Sequence, residues 1–259
     1  MSPLIDVVKY GPAAIVTGAS SGIGRSFATL LAAAGFDLLL PARRIERLND
    51  LAATLQSTYG VSVIPLEVDL NSSAAVDSIF DAAATMDVGL LINNAGFRDA
   101  GPYQDIDPVR AASMIDVNDK LPVLLTHRLL PRLLARGSGG LLFTGSIEAN
   151  MGFPLASVYA ASKAFIRSLG EGLWGELQGQ NIDVLVIEPG STDTENYARQ
   201  GLDARDSDAV WQPDDVAREG LENIANGPVL AVGDGTERAA IMAVVDMPRR
   251  EGLTLLAGG

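Results

Sequence analysis

Short apolar runs alternate with longer amphipathic stretches along the whole chain, and this alternation limits the fold more than any other feature. The runs at residues 13–16, 37–40, 61–66, 89–93, 140–144 and 182–187 read as strands, with a last one at 228–232. Helical stretches lie between them: residues 22–34, 44–58, from Asn71 or Ser72 to about Met86, from about Pro108 to Arg136, a helix through Tyr159 and Lys163 to about Leu177, and residues 213–226. The runs are apolar throughout rather than at every second residue, as strands covered on both faces require. A helix between each pair of strands demands parallel strands joined by right-handed crossovers. The expected architecture is α/β, a doubly wound parallel sheet of about seven strands with helices on both faces. No linker, low-complexity segment or further repeat interrupts residues 1–259, so a single domain is expected.

Thr17-Gly18-Ala19-Ser20-Ser21-Gly22-Ile23-Gly24 falls between the first strand and the first helix. Glycines there let the backbone turn sharply and approach a phosphate, and the helix N-terminus presents free amides to it. The spacing is Gly-x3-Gly-x-Gly, not the commonest dinucleotide fingerprint, and a plain glycine-rich turn would look the same. Tyr159 and Lys163 stand four residues apart, one helical turn from each other on one face. An ammonium beside a phenol favours the phenolate. At ~4 Å and an effective dielectric of about 20 the attraction is on the order of 4 kcal/mol. Each pKa unit is roughly 1.4 kcal/mol, so a drop of a few units is within reach. Tyr159 is therefore expected to give and take a proton near neutral pH.

Other chemistries are excluded by what the chain lacks. There is no cysteine, which removes disulfides, thiolate zinc sites and cysteine nucleophiles. His127 is the single histidine, so a multi-histidine metal site is impossible and no metal is expected. The formal net charge of −13 argues against nucleic acid and anionic membrane as partners. The N-terminus has neither the basic nor the apolar region of a signal peptide, and no apolar run is long enough to span a bilayer. A cytoplasmic location is the default expectation.

Taken together, Thr17 to Gly24, Asn93-Asn94-Ala95-Gly96, Asn118, Ser146 and the Tyr159/Lys163 pair resemble the short-chain dehydrogenase/reductase family, in its shorter single-domain branch. The motifs stand in that family's order across nearly the whole chain. The resemblance implies a Rossmann fold and hydride transfer between a nicotinamide cofactor and a ketone, aldehyde or secondary alcohol. It makes Tyr159 the general acid/base. Lys163 would lower the tyrosine pKa and bond the nicotinamide ribose, Ser146 would hold the substrate oxygen, and Asn118 would hold a water in the proton relay. It assigns cofactor contacts to Gly18, Ser20, Ser21, Gly22, Ile23 and Gly24, to Asp69 and Leu70, and to Asn93, Ala95 and Gly96. Pro189, Gly190, Thr192 and Thr194 would form the loop over the carboxamide, although an aliphatic residue is commoner at position 192. An enoyl reductase would space its tyrosine and lysine more widely, and an extended epimerase would need a longer substrate domain. A 3-oxoacyl-(acyl carrier protein) reductase and a non-catalytic dinucleotide-binding sensor remain as alternatives.

The end of the second strand selects the cofactor. An acidic residue there would bind the ribose 2′-hydroxyl and repel a 2′-phosphate. This chain has Ala42 at that position, followed by Arg43, whose guanidinium suits a phosphate. NADP(H) is expected over NAD(H). The substrate pocket is expected beyond the carboxyl ends of the strands. Phe97, Arg98 and residues 148–155 would wall it, and Met151, Phe153, Tyr197 and Trp211 would supply apolar contact for an apolar or aromatic substrate. Residues 191–212 are expected to form a substrate lid. Arg128, Arg132 and Arg136 fall at spacing four on one helical face. They suit a solvated face or ion pairs across a subunit interface to Glu171 and Glu176 better than a docking stripe for an acidic carrier protein. Gly170, Gly172 and Gly175 sit inside a helix, where close approach of another backbone would account for them, so a homodimer or homotetramer is expected.

Overall fold

A computed structural model of the chain describes residues 4–195 and 210–258. Among these, β1 (Ala13–Val16), β2 (Asp37–Ala42), β3 (Val63–Glu67), β4 (Val88–Asn93), β5 (Gly139–Thr144), β6 (Ile182–Glu188) and β7 (Val229–Ala231) form one parallel sheet. Its order is β3-β2-β1-β4-β5-β6-β7. The helices are α1 (Val7–Tyr10), α2 (Gly22–Ala33), α3 (Ile45–Tyr59), α4 (Ala75–Ala82), α5 (Pro108–Ile115), α6 (Leu121–Arg136), α7 (Ser157–Glu176), α8 (Pro213–Glu222), α9 (Thr236–Val245) and α10 (Arg249–Leu256).

Successive residues of a strand face opposite sides of the sheet, so each strand feeds two cores. Ala14, Val16, Leu38, Leu40 and Leu142 enter one core, against Phe27 and Leu31 of α2, Leu48 of α3 and Val216 of α8. Ala13, Ile15, Leu39, Leu141 and Phe143 enter the other, against Ile79 of α4, Leu125, Leu129 and Leu133 of α6, and Ile166 of α7. Phe27, Phe36 and Phe143 are wholly buried, and each such side chain contributes roughly 1.5–3 kcal/mol. This two-sided burial is why the strands read as unbroken apolar runs.

Several boundaries depart from expectation for local reasons. The helix expected from Asn71 or Ser72 begins only at Ala75. Before it, the Asp69 and Ser72 side chains accept from the amides of Asn71 (3.1 Å) and Ala74 (3.2 Å) and hold the chain in turns. The stretch expected as one helix from Pro108 to Arg136 is divided by a π-helical turn at Asp116–Lys120. Pro122 has no N–H, so the Asn118 carbonyl loses its α-helical donor, and Leu121 N–H instead reaches back to the Asp116 carbonyl. Helices α9 and α10 were not anticipated. No residue of α9 is buried, so it carries no apolar stripe that would reveal it.

The arginine face of α6 is largely engaged within the chain. Arg132 donates to the Met86 carbonyl (3.1 Å), Arg136 pairs with Asp87 (3.3 Å) and donates to Lys9 O (2.8 Å), and Arg128 lies 4.0 Å from Asp77. Glu171 pairs with Arg167 of its own helix at 3.0 Å. Gly170 also has an internal cause: a Cβ there would collide with the Val186 side chain of β6. Gly172 and Gly175 have nothing within 4 Å of such a position. No described helix is long and apolar enough to cross a membrane.

Candidate active site

The strand order turns between β1 and β4, and a crevice opens outside the carboxyl ends of strands at such a point. A cavity of about 590 Å³ lies along those ends. It runs from Ala42, Arg43 and Arg44 after β2, past the glycine loop, to Ser146, Glu148, Tyr159 and Lys163.

The glycine loop is shaped by backbone demands. Gly18 (φ 73°) and Gly22 (φ 54°) adopt left-handed conformations, and a Cβ on Gly18 would lie 2.9 Å from Ala95 Cα. Thr17 Oγ1 ties this loop to β4, donating to Ile92 O (3.2 Å) and accepting from the amides of Asn94 and Ala95 (both 3.0 Å). Gly18, Ser20, Ser21, Gly22 and Ile23 line the cavity, as do Asp69, Leu70, Ala95 and Gly96. Gly18, Gly22 and Gly96 pack too closely on Ala95, Thr194 and Asn118 to carry side chains, and the α2 N-terminus opens onto the cavity they line, so the residues fit a dinucleotide.

Two expected contacts lie elsewhere. Asn93 is turned into the core below β4, where its Nδ2 donates to Thr126 Oγ1 at 3.3 Å. Gly24 is no part of the lining; it makes room for the Asn94 side chain and the Gly18 carbonyl. Asn94, which the sequence reading left without a role of its own, lines the cavity and donates from Nδ2 to Thr17 O (3.1 Å). Pro189, Gly190, Thr192 and Thr194 line the far side, and Thr192 Oγ1 donates to Gly190 O at 3.0 Å. Gly190 packs against the Glu237 carboxylate of α9.

At the chemical end, Lys163 is buried and donates from Nζ to Thr144 O at 2.7 Å. Its Nζ lies 5.6 Å from the centre of the Tyr159 ring. Ser146 Oγ accepts from the Glu148 amide (3.2 Å), and Ser146 stands close enough to Tyr159 to favour its phenolate. Asn118 stands behind the cavity wall. Its Oδ1 accepts from Phe97 N (3.1 Å), and its Nδ2 donates to Phe97 O and Ser162 Oγ (both 3.1 Å). The carboxamide is a brace between the β4 loop and α7.

The pKa expectation for Tyr159 is reversed among the protein's own groups. Burial pushes the phenol up to about 12, Glu148 adds to this, and Ser146 and Arg98 oppose it. Burial likewise pushes Lys163 down to about 8, against the attraction of Asp119 and Glu148. Burial is thus the leading cause of both shifts, and it moves each group toward its neutral form. Asp119, next to Asn118 and 8% exposed, is pushed up to about 7 by burial, and its Oδ1 has no hydrogen-bond partner among the described residues.

Of the expected walls Phe97, Arg98 and Glu148 line the cavity, so charged side chains stand there beside an aromatic one. Arg98 lies 3.5 Å from Glu148, and its guanidinium sits 5.7 Å from the Tyr159 ring centre. Met151 is buried and packs toward Gly252 of α10, and Trp211 packs on Gly233, so neither lines the cavity. Tyr197 and much of the expected lid lie outside the described residues. The described ends of that stretch pair with each other through Asp193 N to Trp211 O and Trp211 N to Ser191 O, both 2.9 Å.

The family model described as short chain dehydrogenase matches residues 12–204. A sulfoacetaldehyde reductase 2 from Chromohalobacter salexigens is 38% identical over 214 residues, 78% of this chain and 84% of that one. A 7β-hydroxysteroid dehydrogenase from Clostridium sardiniense is 30% identical over 217 residues, 83% of each chain. A solved short-chain dehydrogenase from Sphingobium yanoikuyae in complex with NADPH matches with a TM-score of 0.80 at 32% identity, covering 94% of this chain and 95% of that one. A solved 7β-hydroxysteroid dehydrogenase shares the fold, with a TM-score of 0.90 at 24% identity over 98% and 99% of the two chains. A doubly wound sheet with a glycine cradle and a tyrosine–lysine pair in one cavity is the frame of a nicotinamide-dependent oxidoreductase. The chain belongs to the short-chain dehydrogenase family, and it acts between alcohol and carbonyl groups.

Proposed function

We propose that this chain is an NADPH-dependent reductase of small carbonyl compounds, reversible in principle, with Tyr159 as general acid/base. The observation that carries this reading is the convergence of Ser146, Tyr159 and Lys163 at one end of a cavity whose other end is Arg43 and Arg44. When bound, the nicotinamide supplies the hydride to the carbonyl carbon. Tyr159 gives its proton to the carbonyl oxygen, and Ser146 donates a hydrogen bond to that oxygen. A phenol held neutral by burial carries the proton that reduction of a carbonyl needs. Lys163, anchored on Thr144 O, places a positive charge beside the phenolate that forms.

NADP is supported by the end of β2. Ala42 brings no carboxylate there, and Arg43 is exposed at the rim of the cavity. Arg44 is held in place: Nε and Nη2 donate to Ser20 Oγ (3.2 and 3.0 Å), and Nη2 also donates to Ser21 Oγ (2.6 Å). The 32%-identical structure with NADPH agrees with this choice. Arg98 and Glu148 favour a polar carbonyl compound over a bulky apolar one, and the relative named as a sulfoacetaldehyde reductase points to a short aldehyde or ketone bearing an anionic group near Arg98.

The test is absorbance of the reduced nicotinamide with each cofactor against sulfoacetaldehyde, uncharged aldehydes of like size and a 7-oxosteroid. Turnover of the anionic aldehyde with NADPH is expected. Silence across the panel with cofactor bound would move the reading to a non-catalytic dinucleotide sensor.

A further inference from the structure

Arg44 has a second partner at the rim of the cavity. Its Nη1 donates to Glu195 Oε2 at 2.6 Å, while Glu195 Oε1 pairs with Arg47 Nη1. One carboxylate thus bridges two guanidiniums, and the opposite edge of Arg44 rests on Ser20 and Ser21 of the glycine loop. Glu195 lines the same cavity as Arg43, Arg44 and Thr194. Hydrogen bonds from Arg44 and then Arg47 hold its carboxyl below the usual range, so it is ionised at neutral pH. An acidic residue therefore meets the cationic end of the cofactor site, but from the segment after β6 instead of from the end of β2.

We propose that Glu195 is a built-in competitor for the ribose 2′-phosphate, occupying the Arg44 guanidinium that the phosphate needs and so setting how tightly, and how selectively, the phosphorylated cofactor is held. This rests on the NADP reading above. A phosphate carries more charge than a carboxylate and matches the guanidinium fork, so it can displace Glu195 from Nη1. A neutral 2′-hydroxyl offers Arg44 no charge in exchange, and the Arg44–Glu195 pair then persists. The competitor also weakens the grip on the spent phosphorylated cofactor, which must leave after each turnover. The ion pair is part-exposed, with side chains 35% and 39% accessible, so the effect is modest rather than absolute.

The experiment is calorimetric binding of 2′,5′-ADP and 5′-AMP, which needs neither nicotinamide nor turnover, to the full chain and to Glu195→Gln, Glu195→Ala and Arg44→Ala. Both Glu195 variants are expected to bind 2′,5′-ADP about fivefold more tightly, with 5′-AMP changed less than twofold. Arg44→Ala is expected to lose the preference for 2′,5′-ADP. If the Glu195 variants bind 2′,5′-ADP as the full chain does while Arg44→Ala loses it, the competition is refuted and the NADP reading stands. Weaker 5′-AMP binding in the Glu195 variants would make Glu195 a ribose ligand and also refutes it. If the full chain shows no preference for 2′,5′-ADP and Arg44→Ala changes nothing, the proposal fails together with the NADP reading.

Discussion

Tyr159 is raised and Lys163 lowered by the same cause, burial at the end of the cavity, so each of the pair is neutral more readily than in water. Tyr159→Phe removes the proton and leaves the ring in place. Turnover is expected to fall by about a thousandfold or more while NADPH binding, followed by nicotinamide fluorescence, stays within about twofold. Retained activity would exclude Tyr159 as the acid. Asp119, and after it Glu148, favour the Lys163 ammonium, and Tyr159 faces Lys163 from its own helix. Lys163 is positive below about pH 8 and loses its charge above it. Asp119→Asn removes a stabiliser of that charge, so the alkaline fall of kcat/KM for carbonyl reduction should move to lower pH with cofactor affinity unchanged. An unmoved fall would separate Asp119 from the lysine. At this scale the spacing of Tyr159 and Lys163 was legible in the chain. The sign of the tyrosine shift was not, because spacing reports the distance between two groups and says nothing of how much water each loses. Asp119 was invisible for a related reason: nothing near it in sequence shows that a π-helical turn ahead of Pro122 buries this carboxylate.

Segment 147–150, which follows Ser146, is held by a buried charge. Glu188 at the end of β6 is fully buried, accepts from Asn150 Nδ2 (3.3 Å) and pairs with Arg167 Nη1 of α7 (3.2 Å). Burial raises the Glu188 carboxyl and Arg167 opposes that rise. Arg167→Met strands the carboxylate, and a loss of about 3 kcal/mol is expected, discounted somewhat because Arg167 is 25% exposed. A carboxyl whose folded pKa lies above its unfolded value stabilises the fold below that range and loses this contribution as pH rises through the folded pKa. The deficit of Arg167→Met should therefore be large at pH 8 and shrink toward pH 5, read from thermal melts. An equal deficit at both would show that Glu188 is not its source. The strands themselves were legible, since burial on two faces writes itself into continuous apolar runs. The π-helical turn was not, because one extra residue in a turn barely disturbs a 3.6-residue period. Helix α9 escaped because a helix that buries nothing carries little periodicity.

At the scale of the molecule, the parallel sheet and a pocket beyond the carboxyl ends of its strands, walled by Phe97, Arg98 and Glu148, were legible, whereas the strand order was not, because strand–helix alternation fits more than one doubly wound order. Met151 and Trp211 looked like pocket walls by composition and pack instead under elements that close over them from residues 233 and 252. The same distinction between what a residue is and what it meets bears on assembly. Leu124 and Leu134 of α6 and Phe165 of α7 are 43–46% exposed. Gly172 and Gly175 have open space beside them, although glycine inside a helix costs up to about 1 kcal/mol relative to alanine. Gly170 is explained by Val186 within the chain, and these two are not. We propose that a second copy approaches α7 at Gly172 and Gly175, giving a homodimer or homotetramer. Light scattering should then return two or four times the 27.1 kDa chain mass, and Gly172→Arg should shift it toward the single chain without disturbing far-ultraviolet circular dichroism. The opposite case has its own signature. If α7 faces only water there, Gly172→Ala fills no interface and raises stability by about 0.5–1 kcal/mol through helix propensity alone. A single-chain mass together with that gain would remove the interface, whereas loss of the larger mass in Gly172→Arg, with no stability gain in Gly172→Ala, would establish it.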